Sequence, residues 1–186
     1  FQVLSPTRDS EGRVVMTPAM LNLQWEQVAL YPAGYAARAI RVQPSVTLPA
    51  GWTGASALDP AQASGGHLRF GVTDFETLVD SPMFAGAHFR RWDLGQGVSL
   101  NVVADEERFL AATPQQIASH RALVDEAIAL FGVRHFDHYR FLLALTGELG
   151  RIGLEHHRSS ENSRDTDYFT GWNEAGADRG LLPHEF

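Results

Sequence analysis

Apolar and polar residues alternate along much of the first hundred positions, with the two-residue period of β-strands that are buried on one face. The alternating apolar positions are Leu21, Leu23 and Trp25, then Ile40, Val42, Val46 and Leu48, and then Leu68, Phe70 and Val72. Residues 84–92 and 98–102 predict further strands. Short stretches rich in proline, glycine and serine separate these segments and are typical of turns. The pattern predicts a mainly β structure with an amino-terminal β-sandwich.

Helical spacing replaces this alternation after Asp105. Thr113 is a good N-cap residue and Pro114 a good first helical residue, and apolar positions recur at helical spacing up to Phe131. Gly132 is a typical helix terminator. The sequence therefore predicts one amphipathic helix in this part of the chain.

The remaining segments alternate between apolar runs and polar stretches. Residues 139–145 form a continuous apolar run, which is typical of a strand buried on both faces. We predict another strand within residues 150–157, a long polar loop at 159–177, and a new helix beginning around Gly180. The expected organisation is a β-sandwich domain at residues 1–104 and the first part of an α+β domain at residues 105–186.

Composition narrows the classes of function. The 186 residues carry 22 acidic and 15 basic side chains, a formal net charge of −7, and no basic cluster. This balance argues against nucleic-acid binding, which requires a concentrated basic surface. The absence of cysteine excludes disulfides, thiolate metal sites and cysteine nucleophiles. No apolar run approaches the roughly 20 residues of a membrane-spanning helix.

Both ends of the sequence are unusual for natural termini. The first residue is Phe1 and not methionine, and the last residues, 180–186, become apolar where termini are more often polar. We interpret the chain as an internal fragment of a longer protein.

The last three residues, His184, Glu185 and Phe186, match the first half of a His-Glu-x-x-His motif. On a helix, this motif places two imidazoles on one face to bind zinc, and its glutamate activates a water molecule as general base. A His-Glu pair alone is a weak signal, because an ordinary histidine beside a surface glutamate has the same sequence.

A second candidate lies at Gly153, Leu154 and Glu155. A glutamate in a glycine-led extended segment can present its carboxylate at the edge of a cleft, where it can hold the terminal ammonium of a peptide. The alternative is a polar strand end with solvated charges. His156 and His157 follow directly, and in a strand their side chains point to opposite faces, so we do not expect them to share one metal ion.

Other histidines and aromatic residues have simpler interpretations. His135 and His138 are three residues apart, but the neighbouring sequence favours a loop and a structural role. We assign no role to His67, His88 or His120. The aromatic side chains expected in the sandwich core are Trp25, Trp52, Trp92 and Tyr31. Asp80, Ser81 and Pro82 predict a tight turn.

Four segments, in the same order along the chain, resemble landmarks of the glycyl aminopeptidase family. They are residues 25–34 (Trp-Glu-Gln-Val-Ala-Leu-Tyr-Pro-Ala-Gly), 48–52 (Leu-Pro-Ala-Gly-Trp), 77–82 (Thr-Leu-Val-Asp-Ser-Pro) and 153–156 (Gly-Leu-Glu-His). His184 and Glu185 then stand where the zinc helix of that family begins. The resemblance extends from about residue 22 to residue 186.

The resemblance implies an amino-terminal β-sandwich and a thermolysin-like catalytic domain whose third zinc ligand is a glutamate. It implies removal of amino-terminal residues from peptides, with glycine and alanine favoured. By position, His184 corresponds to the first zinc ligand and Glu185 to the general base. Glu155 corresponds to the glutamate that binds the free amine in a Gly-x-Met-Glu-Asn segment, although Leu154 and His156 replace its methionine and asparagine.

The resemblance also implies a cofactor and partners for the chain. Zinc is the expected cofactor of the full-length enzyme, but residues 1–186 supply one of the three protein ligands that a catalytic zinc requires. The expected partners are a peptide substrate, the remainder of the catalytic domain and a PDZ module. The resemblance and the missing initiator methionine favour a periplasmic or secreted location.

Two other interpretations stay open. The β domain could be a non-catalytic module that binds peptide or carbohydrate, with an accidental His-Glu ending. Alternatively, the sandwich and the catalytic remainder could be separate chains that assemble. The residues that follow Phe186 would distinguish these interpretations, because a second histidine after two intervening residues would complete the zinc motif.

Overall fold

Strands make up most of the regular structure in the computed structural model, which describes residues 2–173 and 178–186. The strands are β1 (Met20–Leu23), β2 (Arg41–Val42), β3 (Ser45–Thr47), β4 (Thr53–Ser56), β5 (Pro60–Ser64), β6 (His67–Phe70), β7 (Thr73–Asp74), β8 (Met83–Gly86), β9 (His88–Gly95), β10 (Val98–Ala104), β11 (Tyr139–Leu145), β12 (Gly153–Glu155) and β13 (Ser159–Arg164). The α-helices are α1 (Trp25–Val28), α2 (Phe75–Val79), α3 (Pro114–Phe131) and α4 (Leu181–His184). The predicted mainly β fold is confirmed.

The amino-terminal part contains three small sheets, with strand orders β1-β8-β4, β3-β6-β5 and β2-β7. They enclose a hydrophobic cluster with α1 and α2. Its buried members are Trp25, Leu48, Leu58, Phe70, Phe75, Leu78, Met83 and Ala85. Trp25 was expected to continue the first strand. It begins α1 instead, and its indole Nε1 donates a hydrogen bond to the carbonyl oxygen of Ser81 over 2.8 Å.

A five-stranded mixed sheet follows, with the order β12-β13-β11-β10-β9. Strands β10, β11 and β13 are parallel, and the two edge strands are antiparallel to their neighbours. Helix α3 connects β10 to β11. As predicted, Thr113 caps this helix in a capping box with Gln116, and Gly132 ends it with φ of 70°, a left-handed conformation that glycine adopts without strain.

The five-stranded sheet is covered on both faces. Met20 and Phe84, from the β1-β8-β4 sheet, pack against Val103, Leu142 and Ala144 on one face. Ile117 and Val124 of α3 pack against the other face, which carries Leu100, Phe141 and Leu143 among its buried residues. The prediction that residues 139–145 form a strand buried on both faces is confirmed.

Strand β13 corrects the sequence analysis, which placed residues 159–164 in a loop. All but its last residue are buried, although the sequence, Ser-Ser-Glu-Asn-Ser-Arg, is polar throughout. The strand pairs in parallel with β11 and antiparallel with β12. Hydrogen bonds satisfy part of its polar content, as Asn162 Nδ2 donates to Ser160 Oγ over 3.0 Å. Residues 174–177 of the predicted loop lie outside the described residues.

The chain was predicted to divide after residue 104, and that division stays a prediction. The five-stranded sheet contains β9 and β10 from before this point and β11 to β13 from after it. Since β10 pairs with β11 over seven residues, the sheet continues across the predicted boundary. The thermolysin-like character expected for residues 105–186 likewise stays a prediction. Within residues 2–173 and 178–186, no helix is long and apolar enough to span a membrane.

The capping box gives a direct test of how α3 is held. Replacing Thr113 by alanine removes the hydroxyl that accepts from the Gln116 amide over 3.3 Å, so the free energy of unfolding should fall by about 1 kcal/mol. Ser119→Ala on the exposed face of the same helix is the control and should change it by less than about 0.5 kcal/mol. Urea unfolding followed by circular dichroism measures both. Equal losses in the two variants would contradict the assigned cap.

Candidate active site

The pairing of β12 with β13 sorts the predicted site residues onto two faces. Gly153 pairs with Asn162, Leu154 with Glu161, and Glu155 with Ser160. Because successive side chains of a strand point to opposite faces, Gly153 and Glu155 share one face and Leu154 lies on the other. The predicted substrate-binding residues therefore border two different spaces.

Glu155 meets α4 on its own face of the sheet. Its carboxyl group lies close to that of Glu185, and the two interact electrostatically; Glu185 is buried. Gly153 lies directly beneath: a Cβ atom there would collide with Glu185 Oε1 and would lie 2.6 Å from Leu181 Cδ1. Position 153 therefore accepts only glycine while Glu185 keeps this place.

The structure brings three predicted residues, Glu155, His184 and Glu185, to one cavity of about 460 Å³. Its remaining lining residues are His135, Tyr139, His156 and Phe186. The sequence places Glu155 thirty residues before Glu185. The cavity is thus formed by two segments that only the folded chain brings together.

Tyr139 anchors the segment that carries Glu185, a role that the sequence analysis did not assign. Its hydroxyl donates to the backbone carbonyl of Glu185 over 2.9 Å. Burial raises the pKa of Tyr139 to about 12, so the hydroxyl remains a donor at neutral pH. The ring of Phe186 packs against those of Phe136, Tyr139 and Phe141, with centroid separations of 5.8, 4.9 and 5.1 Å. These ring contacts hold the segment that follows α4 against the first residues of β11.

The charge state of Glu185 depends on its surroundings. Burial raises the pKa of Glu185, and the adjacent Glu155 carboxyl raises it further, whereas His184 lowers it.

The family resemblance implies a zinc ion, for which the described residues supply too few ligands. Among residues 2–173 and 178–186, no group of three or more histidine, cysteine, aspartate or glutamate side chains could hold a metal ion. His184, at the end of α4, is exposed and is the predicted ligand. A catalytic zinc needs three protein ligands, so the described residues do not fit zinc by themselves.

A larger cleft, of about 1030 Å³, adjoins this cavity. His135 and His156 line both spaces. One wall comes from α1 and α2 with the turn that follows, and the other from residues 135–137 and the end of β12. Leu154, which is 40% exposed, lines this cleft.

His156 lies between two carboxylates at the base of the larger cleft. Its Nδ1 is 3.0 Å from Asp80 Oδ1, and its Nε2 is 3.2 Å from Glu161 Oε1. Glu161 is buried, and Asn22 Nδ2 donates to its other oxygen over 2.6 Å. Arg13 adds a guanidinium 3.7 Å from the same oxygen. We refer to Asp80, His156 and Glu161 as the His156 clamp.

The His156 clamp holds a charged imidazole. Burial alone lowers the pKa of His156, but the hydrogen bonds and charges of Asp80 and Glu161 outweigh this effect and raise it to about 9. Burial opposes ionisation of Asp80, yet hydrogen bonds from the His156 ring and the His157 amide lower its pKa. The sequence analysis identified the turn at Asp80 but contained no signal that linked it to His156, 76 residues later.

His135 and His138 lie in a loop, as the sequence predicted. His138 Nε2 is 2.7 Å from the carbonyl oxygen of Ala57, and the ring of His135 packs edge-on against Phe136. His120 is buried in α3 and hydrogen-bonds through Nε2 to the hydroxyl of Tyr168 over 2.9 Å. Its two ring nitrogens are both engaged, because Nδ1 lies 2.7 Å from the carbonyl oxygen of Gln116.

The aromatic residues expected in the sandwich core are only partly there. Trp25 and Trp52 belong to the amino-terminal hydrophobic cluster. Trp92 instead packs against the cluster beneath α3, and Tyr31 is 55% exposed beside Phe75. The prediction for Trp92 was wrong because this residue belongs to β9, a strand of the five-stranded sheet.

The raised pKa of His156 predicts a pH-dependent stability. The proton bound in the folded state is stabilising below pH 6.5, and this contribution is lost as pH rises through about 9. The free energy of unfolding should therefore fall by about 1 to 3 kcal/mol across this interval. His120, whose pKa is lowered by burial, acts below this interval, and the buried tyrosines act above it.

Urea unfolding at several pH values tests this expectation. His156→Gln should remove the decline between pH 6.5 and 9, whereas His67→Gln, at an exposed histidine that contacts Thr47, should retain it. A wild-type stability that is constant across this interval would contradict the clamp as described.

Comparisons with known proteins give a family match in the amino-terminal half of the chain and a similar solved structure. Residues 1–87 match the family model described as Peptidase M61 N-terminal domain. No curated protein matches the chain. A solved structure, an aminopeptidase N family protein from Idiomarina loihiensis, is similar in fold with a TM-score of 0.58 at 18% sequence identity. The match covers 81% of this chain and 25% of the other, so the chain spans a quarter of that protein's length. Residues 1–87 therefore resemble the amino-terminal domain of M61 peptidases, and the solved structure shows a similarity of fold alone.

Proposed function

We propose that the chain is part of a zinc-dependent aminopeptidase, related to the glycyl aminopeptidases, that removes amino-terminal residues from peptides with glycine and alanine favoured. The observation that carries this proposal is the convergence of Glu155, His184 and Glu185 on one cavity. The Peptidase M61 N-terminal domain match over residues 1–87 supports the same class of enzyme.

Glu155 is the proposed anchor for the substrate's free amine. It is the last residue of the edge strand β12, and it is exposed and lines the cavity. A carboxylate in this position can accept charge-assisted hydrogen bonds from an ammonium group. Gly153 supports this role, because the absence of a side chain leaves room for Glu185 next to the strand. Leu154 would contact the substrate from the larger cleft.

Glu185 is the proposed general base. Its carboxyl group lies at the same cavity and can take a proton from the attacking water and return it to the leaving amine. A raised pKa brings a carboxyl group nearer the range in which such proton transfer is efficient. Tyr139 holds the Glu185 backbone, so the base is placed by the core and not by a flexible loop.

His184 is the proposed contribution of the chain to the metal site. Since the described residues do not form a zinc site, the other ligands would come from the remainder of the catalytic domain, the main proposed partner. A PDZ module is a second proposed partner, on the basis of the family resemblance alone.

Replacing Glu155 by glutamine tests the amine-binding role in the longer enzyme. The variant keeps the size of the side chain but loses its charge. The value of kcat/KM for substrates with a free amino terminus should fall roughly 10- to 100-fold, as expected for one hydrogen bond to a charged group. Cleavage of amino-blocked substrates should change little.

Glu148→Gln is the matched control, because Glu148 is an exposed glutamate in the preceding turn and lines neither cavity. It should leave both activities unchanged. Equal losses for free and blocked substrates in Glu155→Gln would remove the assigned role. Binding of peptides without any cleavage by the longer protein would favour the alternative of a non-catalytic module.

The 186-residue chain itself should bind little zinc and show no peptidase activity, because it supplies one imidazole ligand where three protein ligands are required. Metal analysis after dialysis against zinc measures this, on protein whose mass is confirmed as 20.5 kDa. Stoichiometric zinc that is lost in His184→Ala would show that the chain completes a metal site alone and would contradict this expectation.

A further inference from the structure

The His156 clamp joins segments that are distant in sequence. Asp80 follows α2 and lies in the region that matches the Peptidase M61 N-terminal domain, whereas His156 follows β12 and Glu161 lies in β13. Asp80 holds two successive residues, because its Oδ2 also accepts from the His157 amide over 3.1 Å. The clamp is therefore a polar contact between the amino-terminal domain and the tip of the β12-β13 hairpin.

Strand β12 depends on such support. It has three residues, all exposed, and pairs with a neighbour on one side only. An edge strand this short has few ladder hydrogen bonds to define its position. The hairpin is closed at one end by the His156 amide, which donates to Ser159 over 2.8 Å, and at the other by the Ser163 amide, which donates to Ile152 over 2.9 Å.

We propose that His156 is a positioning residue: by bridging Asp80 and Glu161, it fixes the end of β12 and thereby the Glu155 carboxylate. The amino-terminal domain then takes part in forming the amine-binding site, although none of its side chains lines the cavity that holds Glu155. The role of Glu155 in this inference rests on the proposed function. The mechanical part, that His156 fixes the end of β12, does not.

The surroundings of His156 exclude other roles in this arrangement. Both ring nitrogens are engaged by carboxylates, so neither is available to a metal ion or to a substrate proton. The charged groups that face it are Asp80, directly after α2, and Glu161 from β13, with Arg13 beyond Glu161. A cation between two carboxylates is attracted from both sides, which a neutral side chain of similar size would not be.

Asp80→Asn in the 186-residue chain tests the mechanical part. The variant removes the charge of one partner and places an amide donor or a neutral oxygen opposite the His157 amide. Hydrogen exchange of the His156 amide should quicken about tenfold, equivalent to about 1.4 kcal/mol. The Ser163 amide, at the other end of the hairpin, and the amides of α3 should quicken less than the His156 amide.

Glu76→Gln is the matched control, because Glu76 is an exposed carboxylate of α2 that lines the same cleft but is outside the clamp. It should leave the His156 amide unchanged. Unaltered exchange at His156 in Asp80→Asn would overturn the proposal. Equal acceleration at all amides would also overturn it, since it would show a loss of global stability only.

The functional part is tested in the longer enzyme by steady-state kinetics. Asp80→Asn should raise KM for free-amine substrates about tenfold while kcat changes less than twofold, and should leave amino-blocked substrates unaffected; these magnitudes follow from misplacing a binding group. Equal losses of kcat for both substrates would contradict a positioning role. If the longer protein has no aminopeptidase activity, the proposed function fails, while the exchange experiment still decides whether His156 holds β12.

Discussion

A buried carboxylate imposes the main constraint on this structure. The Glu161 side chain is 1% exposed, and removing an isolated charge from water costs several kcal/mol unless partners compensate it. The partners include Asn22, Arg13 and His156. Two of them belong to the amino-terminal segment, so the charge in β13 is satisfied only when that segment packs against the five-stranded sheet. The packing of the amino-terminal segment on the five-stranded sheet therefore depends on the Glu161 side chain.

The same constraint extends to the candidate site. Glu161 pairs with Leu154 across the hairpin, so its partners also fix β12. Strand alternation then turns Glu155 toward α4 and His156 toward Asp80 in the amino-terminal part of the chain. Glu155, the proposed substrate contact, is therefore the last residue of β12, and His156, the next residue, makes the contact that holds the strand. Tyr139 completes the arrangement by holding Glu185 from the core side.

Sequence patterns predicted the elements whose physics is local. The cap at Thr113, the left-handed Gly132 and the apolar run of β11 are each determined by neighbouring residues, and each is confirmed. Strand β13 was missed because its burial comes from pairing with β11, and its polar side chains give no apolar periodicity. For the same reason the sequence could not link Asp80 with His156. Glu155, His184 and Glu185 were identified through a family resemblance, whereas their convergence on one cavity is a property of the fold.

The most direct test of this account is a crystal structure of the longer protein with a peptide that has a free amino terminus. The account predicts that the peptide's ammonium group lies within hydrogen-bond distance of Glu155, with Glu185 and His184 at the same cavity and His156 still between Asp80 and Glu161. An ammonium group held elsewhere, with Glu155 in solvent, would contradict the central claim that β12 presents the amine-binding carboxylate.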